Sequence, residues 1–239
     1  MTVQSLLLTF HIIAGALAIV SGFVSLTNRK GSQLHMKAGK TFLTSMVAMC
    51  VSGAIMSAIS GITITLLVSF FTIYLVTTAW RASRRFQQRI HWGDVVGGIL
   101  VTSLSVSFFY HGQLAANSPS GTIDNIAIGP TPYFVFGFVS LFCAWRDLSF
   151  VLNCQRSLKQ ALPSHIWRIS LAMFIATSSF FTGNPQVFPE WFNQSFVSSL
   201  PEQIVLLVMI YYLFDVFAGG AIRKRLNGYI RAKDKLVEI

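Results

Sequence analysis

Charged residues are scarce in this chain of 239 residues, since Asp, Glu, Lys and Arg make up only 11% of it. A soluble domain carries about 25%, so a soluble globule of this composition would lack the polar groups that cover a surface. The 53% of hydrophobic residues exclude a disordered chain and do not fit a nucleic-acid binder, despite the net charge of +10. Three cysteines without a spacing pattern make neither a disulfide framework nor a zinc ribbon. The composition therefore indicates an integral membrane protein.

Long apolar runs fill most of the chain. A helix needs about 20 apolar residues to cross the hydrocarbon layer, and seven stretches qualify. We predict an all-α, polytopic membrane protein: a bundle of seven transmembrane helices in residues 1–222, followed by a basic tail in residues 223–239. The tail is either an amphipathic helix on the cytoplasmic membrane surface or a frayed topology signal. The predicted spans are Val3–Leu26, Gly39–Ser60, Ile62–Trp80, Gly93–Gly112, Pro132–Leu152, Ile166–Gly183 and Glu202–Ile222.

Basic residues occur only around alternate loops. All 18 Lys and Arg residues lie around the loops after the first, third and fifth spans, or follow the last span. The intervening loops carry Asp124 and Glu190 instead. Because positive loops stay in the cytoplasm, we expect the N-terminus outside and the C-terminus inside, in a bacterial inner membrane. The basic loops should also attract anionic lipid headgroups at the cytoplasmic face. No basic residue precedes the first span, so we expect it to remain as a helix and not to be cleaved as a signal peptide.

The N-terminal third has the most distinctive sequence, in His11–Ala16, Arg29–Lys40 and Tyr74–Trp80. It resembles an uncharacterised family of predicted bacterial inner-membrane proteins, in which His-x-x-x-Gly is followed by Arg-Lys-Gly and His-Arg-x-x-Gly-Arg. Here Lys37 and Lys40 stand at or near the arginines of that pattern. The resemblance implies a multi-pass helical fold, and it implies no particular reaction.

Two histidines near the outer side could hold a cofactor. Ionisable groups inside a bilayer cost roughly 2.5–3.5 kcal/mol, so they tend to be functional or paired. His11 and His111 lie on the first and fourth predicted spans, and imidazoles from two helices can ligate a b-type haem. Alternatively, His111 is an interfacial residue beside Tyr110, and His11 joins two helices by a hydrogen bond.

A second set of ionisable residues lies toward the cytoplasmic ends of the spans. It could relay protons or bind a small ligand, hold Zn²⁺ through three histidines and a carboxylate, or form structural ion pairs. Asp215 lies too deep to reach water easily, so we expect it to be protonated or paired, with Arg146 as its partner. Three of the histidines each stand just before a span that leaves the cytoplasmic face. This pattern indicates either a repeated hairpin unit or a chance coincidence. The members of the set are His35, His91, Asp94, Arg146, Asp147, His165 and Asp215.

Motifs for enzymatic chemistry are absent from the sequence. It contains no Gly-rich phosphate loop, no His-Glu-x-x-His helix and no Gly-x-Ser-x-Gly elbow, so an enzyme is not indicated. The leading hypothesis is transport or binding of a small ligand, or proton-coupled transport, through the cytoplasmic cluster. The alternatives are a b-type haem redox protein and a non-catalytic structural or assembly membrane protein.

Overall fold

The computed structural model describes residues 3–84, 90–123, 128–152, 158–183 and 187–218. Within these ranges the chain forms helices and short connections, with no strand. The predicted tail over residues 223–239 lies outside them, as does Asp124. The helices are α1 (Val3–Thr27), α2 (Gln33–Ser60), α3 (Thr63–Arg84), α4 (Trp92–Asn117), α5 (Thr131–Leu152), α6 (Leu158–Phe181), the short α7 (Glu190–Asn193) and α8 (Leu200–Phe217), with a 3-10 turn at Phe196–Ser199.

Six helical segments are long and apolar enough to cross a membrane. They are α1 to α5 and the segment Phe196–Phe217, which joins the 3-10 turn to α8. The chain is therefore an α-helical, multi-pass membrane protein. The sixth predicted span corresponds to α6, which has 24 residues but is not among the six. Its polar residues Ser164, Arg168, Ser170 and Thr177 are buried inside the protein, so α6 does not need an apolar surface.

Local capping explains why α2 begins and ends where it does. The Ser32 side chain accepts a hydrogen bond from the His35 N–H, and so starts α2 six residues before the predicted span. The helix ends at Gly61, which has a φ of 68°, a left-handed conformation that glycine adopts without a steric cost. Long basic side chains such as Lys37 can reach the membrane surface from within a helix, which is why a hydropathy pattern misses the first turns of α2.

Helix α3 occupies the middle of the bundle. It packs against α2, α4, α5 and α6, whereas α1 packs mainly on α2, α4 mainly on α5, and α8 mainly on α6. Half of the apolar window of α3 is buried, against 11% for Phe196–Phe217. We call the end of the bundle where α1, α3 and α5 finish and α2, α4 and α6 start the basic end. A site at the basic end of α3 is therefore enclosed by several helices.

Small residues bring α1 close to its neighbours. Ala14 and Ala18 are buried, and a Cβ added to Gly22 would lie 2.5 Å from Sδ of Met173 on α6 and 2.9 Å from the Phe42 ring on α2. The side chains of neighbouring helices therefore pack directly on the α1 backbone at Gly22, and such close packing at small residues holds membrane helices together where lipid supplies no hydrophobic drive.

Candidate functional site

A buried ion pair joins α5 and α6 inside the bundle. Nη2 of Arg168 lies 2.5 Å from Oδ1 of Asp147, and the Tyr74 hydroxyl on α3 donates to Oδ2 of the same carboxylate at 2.5 Å. Arg168 is 1% exposed and Asp147 is 5% exposed. The Cα atom of Arg168 lies about 15 Å along α6 from the start of that helix, at ~1.5 Å per residue. With both side chains almost fully buried, the pair lies inside the helical bundle and away from bulk water.

Aromatic rings hold the guanidinium in place. Its central carbon lies 5.3 Å from the centre of the Tyr74 ring and 5.2 Å from that of Trp167, which are cation–π distances. The thiol of Cys143, one turn before Asp147 on α5, lies beside the Tyr74 hydroxyl. Three helices therefore fix the orientation of a single arginine.

Two of the three guanidinium nitrogens of Arg168 are not satisfied. Nε and Nη1 are buried, and neither has a hydrogen-bond partner among the described residues. Leaving buried donors unpaired costs about 1–3 kcal/mol, more when the group is charged. An arginine with two nitrogens that lack a hydrogen-bond partner is therefore unusual in a purely structural ion pair.

A polar cavity adjoins Arg168 on the side of the basic end. It is about large enough for one water molecule. We call the cavity and its pair the Arg168 site. Its residues are Tyr74, Thr78, Asp94, Asp147, Phe150 and Arg168.

A second ion pair borders the cavity nearer the basic end. Nη2 of Arg81, on the last turn of α3, lies 3.1 Å from Oδ1 of Asp94, with the side chains 23% and 19% exposed. The other Asp94 oxygen accepts the His91 backbone N–H at 3.0 Å, and the His91 imidazole accepts from the Gly93 N–H, so the two residues form a capping box at the start of α4. The imidazole also lies 3.3 Å from the Arg81 guanidinium. The cavity thus lies between a buried ion pair and a half-exposed one.

Three phenylalanines lie beyond Tyr74, toward the opposite end of the bundle. The Phe71 ring stacks near Tyr74, at 6.1 Å, and packs against Phe108 and Phe136 at 6.2 Å each. Phe71 and Phe108 are fully buried. Polar groups therefore extend from the basic end to Tyr74, near the middle of α3, and an aromatic layer follows them.

The remaining histidines of the predicted cluster bind backbone at the basic end. Nδ1 of His35 is 3.0 Å from the carbonyl of Ser25, near the end of α1. Nδ1 of His165 is 2.9 Å from the carbonyl of Ala79, near the end of α3. These imidazoles join the start of one helix to the end of another. His91 differs from both because it caps its own helix, so the three histidines do not form one repeated unit.

Lys30 binds the carbonyl groups at the end of α1. Its ammonium donates to the carbonyls of Ser25 and Leu26, at 3.1 and 2.5 Å, and lies 4.3 Å from the centre of the Tyr212 ring on α8. Burial lowers the pKa of Lys30 from 10.5 to about 8, because removing an ammonium from water disfavours its charged form.

Arg146 and Asp215 lie on helices that are not principal neighbours. Arg146 is half-buried on α5, which packs mainly against α4, and Asp215 is half-buried on α8, which packs mainly against α6. Among the described residues no ion pair joins the two. Arg168 instead pairs with Asp147, a buried acid that is next to Arg146 in sequence.

The proposed haem ligands also lie apart in the helix packing. His11 bonds the Met49 carbonyl, at 2.9 Å, and lies 3.1 Å from the Ser52 hydroxyl of α2. His111 bonds the Ser107 carbonyl of its own helix at 2.8 Å. Since α1 packs on α2 while α4 packs on α5 and α3, both imidazoles have protein partners on different faces. The described residues also contain no group of three or more His, Cys, Asp or Glu side chains that could hold a metal ion.

Sequence patterns do not single out five members of this region: Tyr74, Thr78, Arg81, Phe150 and Arg168. The prediction that Arg168 is a basic residue around a loop is wrong, because α6 begins at Leu158 and Arg168 is buried. The available signal is that Arg168 already lies inside the predicted span Ile166–Gly183. Comparisons with protein-family models, curated proteins and solved structures gave no match to this chain.

Proposed function

We propose that the chain crosses a bacterial inner membrane seven times, with its N-terminus outside and its C-terminus in the cytoplasm. The helix that brings the six apolar segments to seven spans is α6, which has 24 residues and is about 36 Å long at ~1.5 Å per residue. It lies between α3 and α8, so its buried polar residues face protein instead of lipid. The basic end then faces the cytoplasm, where positive loops stay and where they attract anionic lipids.

A topology reporter tests this arrangement. Alkaline phosphatase fused after residue 120, in the connection after α4, should be active, because that connection lies outside. The same enzyme fused after residue 31, between α1 and α2, should be inactive. The opposite pattern, or equal activity of the two fusions, would contradict the orientation.

We infer that the Arg168 site binds a small ligand and takes part in proton-coupled transport. The observation that supports this function best is the pair of nitrogens without a hydrogen-bond partner, Nε and Nη1, on a guanidinium whose residue is 1% exposed and lines a polar cavity. Ionisable groups at such depth mark substrate or proton pathways in membrane proteins. A purely structural pair needs neither the cavity nor the second carboxylate, Asp94, that lines it.

The arrangement of polar and apolar layers agrees with transport from one side at a time. Asp94 and Asp147 line one cavity, so a half-exposed carboxylate and a buried one border the same space. The aromatic layer of Phe71, Phe108 and Phe136 lies beyond Tyr74. In this conformation the described residues place the cavity on the side of Arg168 that faces the basic end.

A flux assay with three small probes tests the function. The full-length protein is reconstituted in liposomes that contain a pH indicator, and formate, formamide or ammonium is added outside as three separate probes. We expect at least one probe to change the internal pH faster than in protein-free liposomes. The change should be lost in Asp147→Asn and kept in Lys37→Gln, a substitution of an exposed lysine.

The possible results separate the hypotheses. If no probe gives a protein-dependent pH change, the transport function is wrong. If a change occurs but Asp147→Asn, shown to insert and fold, leaves it intact, the Arg168 site is not the transport site, and its ion pair is structural.

A further inference from the structure

We propose that the Arg168 site binds a small monovalent oxyanion of the carboxylate type together with one proton. This inference rests on the proposed function and specifies its substrate class. The proton binds Asp147, which then releases Nη2 of Arg168, and the oxygens of the anion take the place of the carboxylate on the guanidinium.

The charge balance of the buried pair favours this class of ligand. Arg168 and Asp147 are together neutral and almost inaccessible to water. An anion alone would leave the pair with a net charge of about −1 and a proton alone with about +1, and an uncompensated buried charge is strongly unfavourable. An anion and a proton together keep the site neutral, whereas a dianion such as phosphate would not.

The geometry of the guanidinium requires that Asp147 move aside. A guanidinium offers two edges of parallel N–H groups, Nη1/Nη2 and Nε/Nη2, and a carboxylate binds best when it bridges one edge. Both edges include Nη2, the nitrogen that Asp147 occupies, while the two flanking nitrogens are unused. A second carboxylate can therefore bridge an edge only after Asp147 has given up Nη2.

Protonation is the step that weakens the hold of Asp147. A charge-assisted bond between guanidinium and carboxylate is about twice as strong as a bond between neutral groups. Once Asp147 is protonated, an incoming anion makes the stronger contact. The Tyr74 hydroxyl, which now donates to Oδ2 of Asp147, can remain hydrogen-bonded to the protonated acid because a hydroxyl both donates and accepts.

The size of the cavity restricts the ligand. The space beside Arg168 holds about one water molecule, and Phe150 contributes an apolar wall. Because the space is this small, it favours a carboxylate with very few heavy atoms over a larger metabolite. Formate is therefore the probe, and formamide is its neutral counterpart of nearly the same shape.

Several titratable or charged groups surround Asp147 and could contribute to a pH dependence. Tyr74 lies on α3, Cys143 on α5 and Arg168 on α6. Across the cavity lies Asp94 of α4. Three further groups lie nearby at the basic end. Arg81 pairs with Asp94, and His91 contacts Arg81. His165 lies one turn before Arg168. His91 is the competing proton acceptor to be tested, and Asn is a matched replacement that keeps an N-cap.

Calorimetry on the purified full-length protein tests the proposal. Formate and formamide are titrated at about pH 5.5 and about pH 8, on either side of neutrality, in two buffers with different ionisation enthalpies. We expect formate to bind at least about tenfold more tightly at the lower pH, which is ~1.4 kcal/mol, and to take up about one proton per anion. Formamide should not bind at either pH. Asp147→Asn should bind formate at both pH values without proton uptake, and His91→Asn should behave as the wild type.

Each alternative outcome overturns a defined part of the proposal. Formate binding without proton uptake by the wild type would show that Asp147 is not displaced, and preferential binding of formamide would assign the site to neutral ligands. If His91→Asn, and not Asp147→Asn, abolishes the proton uptake, His91 is the proton acceptor and the proposal is wrong. Absence of formate binding by the wild type also overturns it, whereas a flux of ammonium or formamide would leave the transport function standing. The wild-type measurements decide even if a variant fails to fold.

Discussion

Gly93 and Arg81 share a space that a side chain on Gly93 would fill. A Cβ on Gly93 would overlap Nη1 of Arg81, so the glycine at the start of α4 allows the guanidinium to reach Asp94. We expect Gly93→Ala to displace Arg81 and open the border of the cavity. A half-exposed ion pair is worth about 0–1 kcal/mol. Thiol labelling of the variant Thr78→Cys, at the cavity wall, should therefore be about two- to five-fold faster with Gly93→Ala than without it.

Gly98→Ala is the matched control for this experiment. A Cβ on Gly98 meets nothing within 4 Å, so this variant should label at the rate of its parent. Equal labelling rates for Gly93→Ala and Gly98→Ala would show that the Arg81–Asp94 pair does not restrict access.

The buried ion pair should show strong coupling in unfolding experiments. Removing one partner with Arg168→Met leaves Asp147 with an uncompensated charge, and such changes cost about 3–5 kcal/mol. The double variant Arg168→Met/Asp147→Leu leaves no charge, so we expect it to recover most of that loss. The measurement is the free energy of unfolding in mixed micelles, with Lys37→Met as a surface control. Losses that simply add in the double variant would show that the two side chains do not interact.

Close packing at Gly22 gives a prediction about the fold. A Cβ there would lie 2.5 Å from Sδ of Met173, and overpacking of this kind costs about 1–3 kcal/mol. We expect Gly22→Ala to lower the free energy of unfolding by that amount, while Gly98→Ala has little effect. Shortening the neighbour with Met173→Ala should make Gly22→Ala tolerable. A neutral Gly22→Ala in the wild-type background would mean that α1 does not pack on α6 as described.

Lys30 should give the protein a stability that increases with pH. Its pKa is about 8 in the folded protein, against 10.5 without burial. Unfolding therefore takes up a proton between these two pH values, and the free energy of unfolding rises with pH across that window. Below about pH 8 lysine is protonated in both states, so the full cost of burying its charge is present there and contributes no slope.

Thermal melts from about pH 7.5 to about pH 10.5, a range that covers the folded and unfolded pKa values of Lys30, test this expectation. Lys30→Met should remove part of the rise in melting temperature, and Lys37→Met, at an exposed position, should keep it. The same slope in wild type and Lys30→Met would contradict the burial of the Lys30 ammonium.

The sequence predicts the helical bundle well because the lipid restricts what a spanning segment can be. Runs such as Val3–Leu26 have to be helical, since an apolar solvent leaves the backbone no other way to satisfy its hydrogen bonds. The prediction is weakest for α6, whose surface faces other helices. There the length of the apolar run no longer reports the length of the helix, which starts eight residues before Ile166.

The site is only partly predictable from the sequence. Asp94 and Asp147 are identifiable as acids close to a membrane boundary, but their partners depend on how the helices pack. Arg168 looks like a loop arginine until its helix is placed between α3 and α8. Tyr74 resembles any other aromatic residue of a span until its hydroxyl is seen on Asp147. Pairing of Asp215 with Arg146 is plausible from depth alone, but depth does not say which helices are neighbours.

Cysteine accessibility tests the central claim most directly, namely that the Arg168 site opens to the cytoplasm. Thr78→Cys, at the cavity wall, is placed in a chain whose three native cysteines are replaced, and a charged, membrane-impermeant thiol reagent is applied to one side at a time. Val106→Cys, at an exposed position on α4 that faces lipid in a bundle of spanning helices, is the unlabelled control. We predict labelling of Cys at position 78 from the cytoplasmic side only. Labelling from the outer side, or no labelling from either side, would contradict the account.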